Sequence, residues 1–549
     1  MKASSSGLKA GVAQALLATG SNAQYLYNQT IQTAYGPIQG VPALNSTCCS
    51  YINGYENVTV FRGIPFAANP GGENRFKAPQ KAASWNETLV ASEFGSGCPA
   101  GTAPYGGADP ITDEDCLNLN IWTSASSTAE KRPVMIWSYP AGANNAWTMF
   151  DGSQMSLQDI VVVTYNYRAG PYGWLALPEL YVESGNLTTG NYGILDQLYA
   201  LQWVHDNIAD FGGDPDRITT VGQSAGSAAV YHTLNNPLAK GLVVGAIAES
   251  GIRDPRDPQS RDLAEGYNNM STSIELSYEL MDYLNVTTLE ELRQVSAADI
   301  NEASTFTSFS NWRGCIDGYV FPATYWEDLQ TGPPGNDVPV ITGNTKDESG
   351  ATYGLTATVA GYESTLNSTY GSLAADFLAA YPASNDTQAA MQENLIARDT
   401  SLIGTWNFAN MWANSSTQPI YTYYWDHAPA DNEEGSGAKH MSEINYIFNN
   451  LYGTQLSWTE VDYQIASTVN AYWANFIKTQ NPNDGGSWTN GTTLGTWYAS
   501  NSSSPATFHL SPAAPENLNG LPAGYEMVPV ATDDHITLIN EFLATQQSL

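Results

Sequence analysis

Three features of the chain predict an α/β protein with a central, mostly parallel sheet. Between Pro133 and Pro237, β-branched and aromatic runs alternate with a long helical pattern, as right-handed crossovers between parallel strands require. Within that region, the run Ile218 to Val221 feeds straight into Gly-Gln-Ser-Ala-Gly and then into small residues that open a helix. Finally, 549 residues with 11% aromatic and only 13% charged side chains can bury a large core and are not composed like a disordered chain.

The elements follow in order. Residues from about 25 to 95 read as short strands and turns forming a small antiparallel N-terminal sheet, and they include FRGIPFA (61–67) and ENRFKAPQ (73–80). A loop rich in Gly, Pro and Asp runs from Cys98 to Cys116 and leads into LNLNIW, an alternating strand. PVMIWSY and VVVTYNYR are the next strands, the second β-branched through its first half. ILDQLYALQWVHDNI (194–208) is an amphipathic helix, RITTV a third strand and GLVVGAIAES (241–250) a fourth. The pattern turns helical between 255 and 335, with LAEGYNNMSTSIELSYELMDYL its longest stretch, and VPVITGN (338–344) returns to the core. That order makes 255–335 an insertion over the sheet. TYYWDH, the helix YQIASTVNAYWANFIKT and a turn-rich tail complete one domain, 24–549, with no internal repeat and no Ser/Pro-rich linker.

Composition narrows the partners. A net charge of −34 would repel a phosphate backbone, which excludes nucleic acid. Beyond the N-terminus no apolar run is long enough for a membrane span, so no stable membrane anchor is expected. Twelve Asn-x-Ser/Thr sequons, from Asn28 to Asn501, point to a glycosylated, secreted protein. Lys2 and Lys9 before the apolar run 11–18, with Ser21-Asn22-Ala23 after it, give residues 1–23 the layout of a signal peptide. Five cysteines suit an oxidising compartment, with one left over. Nothing in the chain calls for a cofactor or a metal, and its oligomeric state is not legible.

Ser224 sits at the tip of the strand-turn-helix, where a serine hydroxyl can be exposed to a base and set beside oxyanion donors. Gly222 and Gly226 flank it where a Cβ would collide with strand or helix. The pentapeptide alone arises by chance in about one chain in five of this length, so its surroundings decide.

Those surroundings resemble one family. FGGDPDRITTVGQSAG and EDCLNLN (114–120) are similar to the two signature stretches of type-B carboxylesterases, the group that includes fungal lipases and cholinesterases. FRGIPFA, NYRAGPYGWL, GNYGILDQLYALQWV, GNTKDESG, GAKHMSEINYIF and YWANFIKTQNPN also resemble their counterparts there, in the same order, over about 30–500. The resemblance implies an α/β-hydrolase fold and a triad of Ser224, Glu348 and His440. Glu348 follows the strand VPVITGN, where an acid should emerge; Asp347 is its neighbouring competitor, and Ser349 replaces a usual glycine. The chain order Ser, Glu, His is that of the fold. His205 and His232 fall on helices, His427 beside a strand end, and His509 and His535 in the tail, so His440 is the expected base.

The departures bear on substrate choice. Where the family carries a His/Tyr-Gly-Gly-Gly run, this chain has Tyr139-Pro140-Ala141-Gly142-Ala143. Proline has no N–H. With Pro140 in the first, non-donating place, the expected oxyanion donors are Ala141, Gly142 and Ala225, and the Cβ of Ala141 should narrow the pocket. Gln223 stands where many relatives have Glu, so the site is expected to lack a buried carboxylate and to suit a cationic leaving group poorly. By resemblance, Cys98 pairs with Cys116, a closure worth on the order of 3 kcal/mol. The loop between them holds Tyr105 and no tryptophan, against a quaternary-ammonium site, and lacks the apolar face of a lipase lid. Cys48 and Cys49 have no assignable partner, and Cys315, in a strand-like stretch, is expected to be free and buried. The function expected is a secreted serine carboxylesterase acting on a small to medium uncharged ester. The alternatives are an acyltransferase or lactone-forming enzyme with the same triad, and a catalytically silent binding protein.

Overall fold

The strands that read as uncharged, β-branched runs form the middle of the molecule, and burial on both faces is what such runs require. In the computed structural model, which describes residues 25–99, 112–261, 266–306, 311–429, 437–487, 493–511 and 524–548, eleven strands make one sheet. In chain order they are β1 (Val41–Pro42), β2 (Thr59–Pro65), β3 (Asn118–Thr123), β4 (Arg132–Ser138), β5 (Val161–Tyr165), β6 (Gly213–Gln223), β7 (Gly245–Glu249), β8 (Val340–Thr345), β9 (Ile420–Trp425), β10 (Ala506–His509) and β11 (Glu526–Pro529). Their spatial order is β11-β10-β9-β8-β7-β6-β4-β5-β3-β2-β1. The seven strands from β10 to β5 are parallel; β11 on one edge and β3, β2 and β1 on the other run antiparallel. Every residue of β5, β7, β8 and β9 is buried.

The chain steps from β4 to β5 on one side and returns to β6 on the other, which opens a crevice at the carboxyl ends of the strands. Register keeps those ends level: Ser138 pairs with Gly222, Gln223 with Glu249, and Glu249 with Gly343. Helices α1 (Tyr192–Asn207), α2 (Ala225–Asn235) and α3 (Met270–Tyr283) are followed by α4 (Asp386–Ser415), α5 (Ile444–Phe448), α6 (Glu460–Thr479) and α7 (Asp533–Leu543). Tyr231 on α2 and Trp473 on α6 are buried in the main core along the sheet. A satellite core under the 255–335 insertion joins Leu276, Leu280 and Trp312 to Tyr172 and Tyr192.

Several expectations change. The small N-terminal sheet is mixed: Ile31–Gln32 pairs antiparallel with Pro37–Gln39, which pairs parallel with Leu89–Val90. The insertion's long helix starts only at Met270, because the Asn269 side chain accepts from Thr272 N and caps it there. Cys315 is buried and free, but its stretch makes only an isolated bridge with Asn268. Cys48 is joined to Cys49, and Cys98 to Cys116. The tail contains β10, β11 and α7, strands of four residues being too short for periodicity to register. The thirty-residue α4 left no amphipathic trace, since Asp399, Thr400 and Ser401 are as buried as Phe408 and Trp412. The signal-peptide expectation for 1–23, Tyr105 and the sequon at Asn490 lie outside the described residues.

One buried ion pair ties the sheet's crevice to its covering helix. Arg168, just past β5, donates from Nε and Nη2 to the two oxygens of Asp196 on α1, each at 2.7 Å, and its backbone N–H adds a third bond at 3.0 Å. Both side chains are buried. Removing one partner strands the other charge, so Asp196→Ala should lower stability by about 3–5 kcal/mol, read as a lower denaturant midpoint for purified protein.

Candidate active site

The sharp turn after β6 forces Ser224 to φ 57° and ψ −119°, a conformation that costs a non-glycine residue energy. The surroundings hold it there: Ser224 N–H donates to Glu249 O at 2.9 Å, and Ser224 O accepts from Ser227 N at 2.8 Å. A Cβ on Gly222 would strike the Gly226 carbonyl, and one on Gly226 would strike the Ser138 carbonyl. The turn therefore packs directly on the end of β4, and Ser224 remains half-exposed.

The loop after β4 is the glycine-poor Tyr139 to Ala143. Pro140 O accepts from Ala143 N at 3.2 Å, so Ala143 is spent on the turn, and Gly142 takes φ 78°. Among the described residues, the N–H groups of Ala141, Gly142 and Ala225 donate to no backbone carbonyl. Tyr139 and Tyr167 brace this loop, a feature the sequence reading missed. Their rings stack at 4.6 Å, Tyr167 OH donates to Tyr139 O at 3.0 Å, and Tyr167 N–H donates to Tyr139 OH at 3.2 Å. Asparagines of the EDCLNLN stretch hold the next segment: Asn145 Nδ2 donates to Asn118 O at 2.9 Å, and Asn120 Nδ2 to Asn145 O at 3.1 Å.

Glu348 and His440 are brought together, with His440 Nδ1 2.6 Å from Glu348 Oε2. The other carboxylate oxygen accepts from Thr345 N at 2.9 Å. Ser349, at φ 56°, occupies the left-handed turn that explains a glycine preference there. Asp347 does a different job: it accepts from Arg398 at 2.6 Å and from Ala438 N at 2.8 Å, which clips the Glu348 loop to the His440 loop. Burial raises the Glu348 pKa, but the hydrogen bond and charge of His440, the charge of Arg253 and the Thr345 N–H outweigh it and hold it below the ordinary 4.5. For His440, burial pulls downward; the bond to Glu348 and the charges of Glu348 and Glu443 prevail over Arg253 and raise its pKa above 6.5.

The expectation of a missing carboxylate is corrected. The Nε2 of Gln223 lies 3.4 Å from both ring nitrogens of His440. Directly across the sheet from it, however, stands Glu249, fully buried, with Oε1 accepting from Trp473 Nε1 at 2.8 Å. Glu443, also buried, lies within 3.5 Å of Ser250 Oγ. The signal was a single acid ending the apolar run GAIAE, a place where a buried charge needs a reason.

A level sheet edge carrying a strained serine, unspent amides and a carboxylate-bound histidine defines a serine hydrolase of the α/β-hydrolase fold. Residues 27–519 match the Carboxylesterase family, and the chain belongs to it. It is 32% identical over 447 residues to a fumonisin B1 esterase of Sphingopyxis macrogoltabida, covering 78% of this chain and 80% of that protein. It is 30% identical over 481 residues to the para-nitrobenzyl esterase of Bacillus subtilis (strain 168), covering 83% and 91%. Among solved structures, a PNB esterase superposes with a TM-score of 0.69 at 26% identity, over 88% of this chain and 96% of that one. A Geobacillus stearothermophilus carboxylesterase does so with the same score, identity and coverage. The protein is accordingly a serine carboxylester hydrolase.

Because the turn rests on the Ser138 carbonyl, Gly226→Ala must push α2 off β4. We expect a stability loss of about 1–3 kcal/mol and a fall in ester turnover larger than unfolding explains, measured on the folded fraction.

Proposed function

We infer that Ser224, His440 and Glu348 form the catalytic triad of a secreted carboxylesterase that hydrolyses small to medium uncharged esters. What supports this most is the 2.6 Å contact between His440 Nδ1 and Glu348, in a chain whose serine elbow lies at the same edge of the sheet. With Nδ1–H given to the carboxylate, Nε2 is the basic nitrogen; it takes the Ser224 proton as Oγ attacks the ester carbonyl. Glu348 stabilises the imidazolium. The N–H groups of Ala141, Gly142 and Ala225 receive the oxyanion, and the alcohol leaves with the proton from His440. Water, activated by the same imidazole, then releases the acid.

An uncharged substrate fits the surfaces nearest the serine. Tyr139, Pro140, Ala141 and Gly142 carry no charge, while Glu249 and Glu443 are buried and offer none to a ligand. The named substrates of the relatives, fumonisin B1 and para-nitrobenzyl esters, make ester hydrolysis the reaction to assay first. Secretion is supported by two disulfides. Of the described sequon asparagines, all but Asn57 are exposed, and Asn57 is half-buried. No described helix is long and apolar enough to cross a membrane.

Ser224→Ala should lose about 10⁴-fold or more in turnover of para-nitrophenyl esters, and a fluorophosphonate should label Ser224 in the wild type. Near-native hydrolysis by the alanine variant would reject the assignment. Since an imidazolium cannot accept the serine proton, the acid limb of kcat/KM should lie above pH 6.5, the ordinary histidine value, with activity falling as pH drops through it. Glu348, held below 4.5, stays ionised throughout that window.

A further inference from the structure

Behind His440 the structure gathers buried acceptors. Gln223 ends β6 and Glu249 ends β7, paired across the sheet, while Glu443 follows His440 by three residues. Among the described residues, three acceptor oxygens there are buried without a hydrogen-bond partner, Gln223 Oε1, Glu249 Oε2 and Glu443 Oε2, as is the Tyr423 hydroxyl beside them. Two ionised carboxylates can only accept, so such an arrangement would leave these oxygens dependent on the unpartnered Tyr423 hydroxyl and two like charges buried together. A proton on one carboxyl removes both faults, since the acid O–H donates to a neighbouring oxygen.

We propose that Glu249 and Glu443 are positioning residues that hold one proton between them, so that a single negative charge stands behind His440 during catalysis. The groups facing this pair are Gln223 from β6, Ser250 after β7, Tyr423 from β9, Trp473 from α6, and Glu348, His440 and Arg253 from the surrounding loops. Arg253, fully buried and ion-paired to Asp257 at 3.4 Å, is the only permanent cation among them. The titration tendencies agree. Burial and the negative charge of Glu348 push Glu443 up to about 7, against the opposing pull of a backbone N–H, the His440 charge and the Gln223 amide, and burial with the Glu443 charge pushes Glu249 well above the usual carboxylate range. The shared charge supports the imidazolium that forms on His440, and the Gln223 amide reaches within 3.4 Å of the ring nitrogens. Glu249 thus supplies from the next strand the carboxylate that position 223 lacks.

The proposal rests on the triad assignment and makes a distinctive prediction. If one proton is shared, Glu249→Gln and Glu443→Gln each leave one ionised carboxylate, so either single variant should keep the acid limb of kcat/KM within about 0.3 pH of wild type. The double variant has no charge left; its acid limb should move about one pH unit lower, and its kcat should fall about tenfold with KM nearly unchanged. A single variant that reproduces the full shift, or a double variant that leaves the limb in place, overturns the proposal. Should the double variant fail to fold, infrared difference spectra settle the matter. At a pH where the enzyme is fully active, the carbonyl stretch of one protonated carboxylic acid present in wild type should be missing from each single variant. Its retention in either one overturns the sharing. An inert Ser224→Ala enzyme alongside an unmoved double variant removes this proposal alone, whereas an active Ser224→Ala enzyme removes the triad with it.

Discussion

The close approach of α2 to the end of β4 is the constraint from which the site follows. With no Cβ at Gly222 or Gly226, the helix start can rest against the Ser138 carbonyl. Three things that chemistry needs together then share one place: the serine, the helix's first free N–H groups and the loop leaving β4. A helix N-terminus carries partial positive charge, which favours an oxyanion forming there. The strain at Ser224 is tolerated because its N–H and carbonyl are both satisfied, and the ends of β6, β4 and β7 beside it are buried.

The second ordering influence is charge that cannot escape to water. Glu348, Glu443, Glu249, Arg253 and Asp257 are all buried. Each isolated charge there would be costly, so they occur as partners: Glu348 with His440, Arg253 with Asp257, Glu249 with Trp473. In the proposed triad, the imidazolium is therefore met by a field already in place. Such fixed surroundings need no reorganisation as the charge develops, which is where they help a reaction most.

Much of this was legible in the chain, and the pattern of what was not has a physical cause. Long, uncharged strands and the Gly-Gln-Ser-Ala-Gly turn declare themselves through local residue choice, so β4 to β9 and Ser224 could be read directly. Glu348 and His440 were legible through resemblance and order, not through anything local, since their meeting depends on two loops clipped by Asp347 and Arg398. The Tyr139–Tyr167 brace and the Glu249–Gln223 opposition are pairings across strands, and no single window of sequence contains both halves. The long helix α4 failed to register because it is buried along so much of its length that polar and apolar residues do not separate into faces.

Pro140 and Ala141, standing where the sequence resemblance leads one to expect glycines, are better understood against these pairings. A glycine run gives an oxyanion loop freedom to shape itself; a proline and an alanine remove some of that freedom, and the Tyr139–Tyr167 stack with its reciprocal hydrogen bonds removes more. Rigidity in this loop is useful only if its amides already point where the oxyanion will form, since a stiff loop cannot adjust to the substrate. The spending of the Ala143 N–H on Pro140 O, with Ala141 and Gly142 left unspent, is what a preorganised loop requires. The chain thus trades adaptability at the carbonyl for a fixed donor pair. On the proposed assignment of the oxyanion donors, that exchange would favour esters whose acyl group clears the Ala141 methyl and disfavour those needing the loop to open.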